Sequence, residues 1–283
     1  MIRLPALTIS LLIALAPVAA RAATFPADSA YVPLRCGGQV MTDPLGDVPS
    51  SPDDRDVVGD LTAPAGLRAS DAQFLYLRIR VNADPAPPPA GTLHPFAWGM
   101  AFDLDGDRTT YELLITVDGI AAAAGTVSVF TNKTTTVANA PADPADAPAA
   151  MTFAFADAAR TATAGTSTGG NPDFFVDIAV PWTTLTPLGL GRGTRTYVWA
   201  GTSSRADALD GDLACHDGTG GAPRLDVTAS DPTTGDPAQD PGGGGGGDGS
   251  LRLEGGGGCQ AGGSLGLGAA LALVIPLRRR RRR

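Results

Sequence analysis

Residues 96–117 read FAWGMAFDLDGDRTTYELLITV, and no other stretch limits the fold so much. Phe96, Trp98, Met100, Phe102 and Leu104 alternate with smaller or polar residues, the period of two of a half-buried strand. Tyr111, Leu113, Ile115 and Val117 repeat that period. Asp103, Asp105, Gly106 and Asp107 lie between the two runs. The pattern predicts a core hairpin with carboxylates at its tip.

The remaining chain supports a β fold. Of 29 acids, 27 are Asp and only Glu112 and Glu254 are Glu. Asp forms turns and is a poor residue inside a helix. Strands are predicted over 73–81, 126–132, 151–156, 173–180 and 194–201, with no long amphipathic helix. That makes an all-β antiparallel sandwich of roughly 200 residues, long enough to bury a core. In the 73–81 strand, Leu75, Leu77, Ile79 and Val81 share the inner face. Tyr76, Arg78 and Arg80 share the other, so that face is expected in solvent.

The termini read as address and anchor. Residues 1–22 carry Arg3, an apolar run and Ala20-Arg21-Ala22, a secretory signal peptide cut ahead of Ala23. The alternative, a membrane anchor, needs a longer run than one interrupted by Pro5 and Pro17. The ectodomain then spans 23–229. Residues 230–258, rich in Asp-Pro and glycine, are expected to be a disordered linker. Residues 259–283 hold Cys259, an uncharged stretch suited to a short apolar helix, and six terminal arginines. Eight of the 21 basic residues lie in the first 22 and last six positions, so the body is far more acidic than the net charge of −8 suggests. An acidic body is the wrong sign for nucleic acid.

Three cysteines divide unevenly. If Cys259 belongs to the tail, Cys36 and Cys215 remain to pair in an oxidising compartment. Closing so long a loop would stabilise the fold by up to about 5 kcal/mol on the chain-entropy argument. Asp103, Asp105 and Asp107 at alternate positions suit a calcium ion, with Glu112 or Asp60 as further ligands. The spacing departs from an EF-hand, because glycine stands fourth and Glu112 tenth. A solvated Asp-Gly turn, needing no metal, is the plain alternative. Asp207, Asp210 and Asp212 form a second acidic turn beside Cys215.

Two resemblances add to this. The Gly-Cys, apolar segment and arginine block of residues 258–283, behind a glycine-rich spacer, resemble the MYXO-CTERM sorting tail of myxobacterial and related surface proteins. That implies a sorting protease in the membrane, processing near Cys259, and delivery to the cell surface. The runs DVVGD, LYLRIRVNADP, WGMAFDLDGD, YELLITVDG and VDIAVPWTTL resemble DOMON-like sandwiches related to family-nine carbohydrate-binding modules. That implies a jelly-roll-like sandwich, a structural calcium and, in some members, sugar held between aromatic rings.

Stacking needs exposed rings. Tyr197 and Trp199 point away from Val198 and are the expected exposed pair; Trp182 is a third candidate that its context makes a core plug, and Trp98 reads as core. Catalytic signatures such as Gly-x-Ser-x-Gly or His-Glu-x-x-His do not occur. The sequence therefore points to a surface-anchored, non-enzymatic binding module for carbohydrate, such as an extracellular polysaccharide, or another extracellular polymer. A structural surface protein is the alternative, and a hydrolase using Asp103 or Asp105 is the third reading.

Overall fold

The computed structural model describes residues 22–48, 52–89, 91–121, 125–215 and 223–240. The strands are β1 (Val32–Pro33), β2 (Arg35–Cys36), β3 (Gln39–Val40), β4 (Gly66–Ser70), β5 (Phe74–Val81), β6 (Ala97–Asp103) and β7 (Leu113–Asp118). They continue as β8 (Thr126–Thr131), β9 (Met151–Ala154), β10 (Ala159–Thr168), β11 (Asn171–Pro181), β12 (Arg195–Ser203), β13 (Asp212–Leu213) and β14 (Thr233–Thr234). One antiparallel sheet runs β1-β4-β5-β11-β10. A second runs β13-β12-β6-β7-β8-β9, with β14 also paired to β12, and β2 pairs β3 separately.

The core lies between the two large sheets. Leu75, Leu77, Ile79 and Val81 of β5 meet Trp98, Met100 and Phe102 of β6 and Ile115 and Val117 of β7 in one buried cluster. Period-two alternation aims these residues to one side. The expected hairpin is present: Phe102 stands opposite Leu113, Met100 opposite Ile115 and Trp98 opposite Val117. Its second strand begins at Leu113, after Tyr111. Strands β4 and β10 have weaker alternation and were not signalled by pattern.

Neither sheet has a bare outer face, which corrects the one-sided reading. On the first sheet, Arg78 and Arg80 are buried, at 1% and 4% exposure. Arg78 donates to both oxygens of Asp177 in β11 and stacks between Tyr31 and Phe175. Arg80 lies over the same Phe175 ring. On the second sheet, Leu114, Phe130 and Trp199, with the adjoining Tyr111, are covered by Ala145 and Leu209 from loops and by Leu225 from a short helical turn, Leu225–Thr228.

The expected linker start at 230 is also corrected. Thr233 and Thr234 pair with Thr196 and Arg195 of β12. The side chain of buried Arg68 pairs with Asp240 and donates to Thr233 Oγ1. Asp231 accepts from the backbone of Gly37 and Gly38. The folded body therefore includes residues 230–240. Residues 1–21, 241–258 and the expected sorting tail 259–283, Cys259 included, lie outside the described residues.

Candidate metal and ligand site

The hairpin tip brings together three of the five expected metal ligands. Asp103 closes β6 and is 1% exposed. Its Oδ1 accepts from the backbone of Asp105 and Gly106, at 3.0 and 2.6 Å, while its buried Oδ2 has no partner. Glu112 reaches back, accepting from Leu104 N at 2.7 Å. Oxygens of Asp103, Asp105 and Glu112 lie within 4.8 Å of one another. Burial pushes the carboxyls of both Asp103 and Glu112 up. An orphaned buried oxygen among three carboxylates fits a hard, oxygen-seeking cation.

Asp107 and Asp60 stand outside this group. The Asp107 carboxylate accepts from Thr109 N and Oγ1, which hold it below its usual range. Asp60 caps its own turn, accepting from Thr62 N, Thr62 Oγ1 and Ala63 N. Both are Asx-type turn formers, in which neighbouring backbone and threonine hydroxyl groups occupy one carboxylate oxygen, Oδ1.

The expected ring platform is not formed. Trp199 is fully buried and its indole N–H donates to Leu225 O at 2.8 Å. Trp182 is 7% exposed and donates to Asp71 O at 3.0 Å. Tyr197 is half-buried, under the Arg108 guanidinium. The alternation correctly put Trp199 on the face opposite Val198, but loop residues and the short helical turn at Leu225 seal that face.

A groove of about 590 Å³ opens instead beside the Cys36–Cys215 disulfide, walled by Gln39, Thr42, Asp43, Asp60 and Leu61. The two cysteine Cα atoms are 6.3 Å apart. A second groove of about 410 Å³ shares Asp43, Pro44, Gly59 and Asp60 with the first and continues to Thr166 and Asp173.

Beneath these grooves lies an acidic cluster that pattern reading missed. Oxygens of Asp43, Asp47 and Asp212 lie within 4.8 Å of one another. Close backbone approach assembles them. Asp43 and Gly59 exchange two backbone hydrogen bonds, both 3.0 Å. A Cβ on Gly59 would stand 2.4 Å from Ala65 N, and one on Gly201 would stand 2.3 Å from Asp212 O, so glycine is required at both places. Asp212 accepts from Val57 N at 2.6 Å, and Asp56 accepts from Gly46 N through both oxygens. Burial, reinforced by neighbouring carboxylates, pushes Asp43 well up and Asp212 to about 8. The acidic 207–212 turn held half of this signal. Of its three acids, Asp207 pairs with Arg205 and Asp210 accepts from Ser203, and only Asp212 turns inward.

No known protein family, curated protein or solved structure matches the chain.

Proposed function

We propose that this chain is an exported, surface-anchored, non-enzymatic module of jelly-roll-like organisation that binds an extracellular polysaccharide. Residues 1–22 direct export. Residues 259–283 attach the product to the membrane and present Cys259 to a sorting protease. Calcium braces the hairpin tip through Asp103, Asp105 and Glu112.

The observation that carries this reading is the Cys36–Cys215 disulfide in the wall of the larger groove. Structural disulfides persist in extracytoplasmic spaces and are rare in a reducing cytosol. With the tryptophans sealed inside, the polymer is read by polar groups in the groove, the Gln39 carboxamide and the Thr42 hydroxyl among them, with Leu61 as an apolar wall. A glycan array probed with the full chain tests this. Reproducible hits that disappear in the Gln39→Ala, Leu61→Ala double variant support it; hits indifferent to that change contradict it.

Burial of all three tryptophans favours a second reading, a structural surface protein without a small ligand. An array free of hits, with the folded chain still displayed on cells, selects it.

A further inference from the structure

We propose that Asp43, Asp47 and Asp212 hold a second divalent cation, calcium, which clasps the segment carrying Asp43 and Asp47 onto β13. This site shares no residue with the hairpin tip and does not depend on the polysaccharide reading.

The argument starts from Asp43. Asp43 is 3% exposed, and neither carboxylate oxygen accepts a hydrogen bond from a protein donor. An oxygen of Asp43 is held within 4.8 Å of oxygens of Asp47 and Asp212, because the Gly59 exchange fixes the Asp43 backbone. A buried carboxylate without donors is costly, and a second one beside it adds repulsion. Among the described residues, no basic side chain forms an ion pair with Asp43 or Asp212. A bound cation removes both costs at once.

The donor set selects the ion. It is oxygen only, since the nearby sulfurs of Cys36 and Cys215 are joined to each other. Calcium binds oxygens at about 2.3–2.6 Å and tolerates irregular geometry. Oxygens of all three carboxylates lie within 4.8 Å of one another, close enough to share one ion. Magnesium demands a near-ideal octahedron at about 2.0–2.1 Å and gives up its water reluctantly, so an all-protein carboxylate cage suits it less well. Asp43 also lines both grooves, which gives the ion a path from solvent. The clasp joins distant parts of the chain, reinforced by Cys215 N donating to Thr42 O at 3.0 Å.

The test uses the full chain with its disulfide intact, stripped with EDTA and titrated calorimetrically with calcium chloride. Glu112→Gln, at the hairpin tip, serves as the background that isolates this site. Binding is expected to persist in that background and to weaken at least tenfold when Asp43→Asn or Asp212→Asn is added. Magnesium chloride is expected to bind at least tenfold more weakly than calcium. Melting in EDTA supplies a second readout: Asp43→Asn is expected to raise Tm there, by removing buried repulsion, yet to lose most of the calcium-induced rise. Asp47→Asn, at a half-buried position, gives the same loss without a fully buried change. No calcium heat in the Glu112→Gln background, or unchanged affinity in all three Asp variants, would overturn the proposal. Equal affinity for magnesium would overturn the choice of calcium.

Discussion

Arg78 holds Asp177 by both carboxylate oxygens, at 2.6 and 2.9 Å, across adjacent strands of the first sheet. The two side chains are 2% and 0% exposed. Arg160 donates to the same carboxylate from the sheet margin, where its side chain remains 40% exposed. Breaking a buried pair leaves a charge without its partner, which costs far more than losing an exposed pair.

Asp177→Ala is therefore expected to lower unfolding stability by about 3–5 kcal/mol. Arg160→Ala is expected to cost about 1 kcal/mol or less. Denaturant midpoints measured side by side check the order. Equal losses would show that the buried Arg78–Asp177 pair adds nothing beyond the exposed one.

Trp199 fills the outer cluster of the second sheet and donates its only polar hydrogen to Leu225 O. Trp199→Ala is expected to cost about 3–5 kcal/mol, the range for emptying a large aromatic site. Thermal melting should show that loss in the absence of any ligand. A variant that melts like the parent and loses only polysaccharide binding would return Trp199 to the surface role its alternation suggests.

Asp236 fixes the 230–240 segment. Burial pushes its carboxyl up, but the Ser70 hydroxyl, the Arg192 guanidinium and the Ala238 amide outweigh burial and hold it at about 2. Its folded value thus lies below the unfolded value of about 3.9. The associated stability is present above pH 4 and is lost as pH falls through about 2. At pH 6 the parent is expected to exceed Asp236→Asn by about 1.5–3 kcal/mol, the scale of charge-assisted hydrogen bonds. That gap should close between pH 4 and pH 2. A gap that stays constant over this interval would remove the carboxylate from the account.

What the sequence made legible was the inner layer. The alternation in β5, β6 and β7 depends on one buried face, and the residues that fill it are contiguous in the pattern. What it hid came from partners far along the chain. Arg78 and Arg80 look solvated until Asp177 and Phe175 arrive from β11. Trp199 looks exposed until Leu209 and Leu225 cover it. Thr233 and Thr234 sit among Asp-Pro pairs that write a turn and a linker in the same letters, and only pairing with β12 separates the two. At the hairpin tip, the local spacing found Asp103, Asp105 and Glu112. It could not foresee that Asp107 turns Oδ1 to Thr109. The Asp43 cluster escaped because each acid stands in an ordinary-looking acidic loop, and Asp212 joins the other two only through folding.

The central claim is that an oxidised sandwich stands outside the cell on a glycine-rich tether. Intact cells making the full chain can be treated with an external protease that cuts within residues 241–258, and the released material examined by mass spectrometry without reduction. The account predicts release of the folded body with Cys36 and Cys215 joined. A body that stays protected until the cells are lysed, with both thiols open to alkylation, would contradict it.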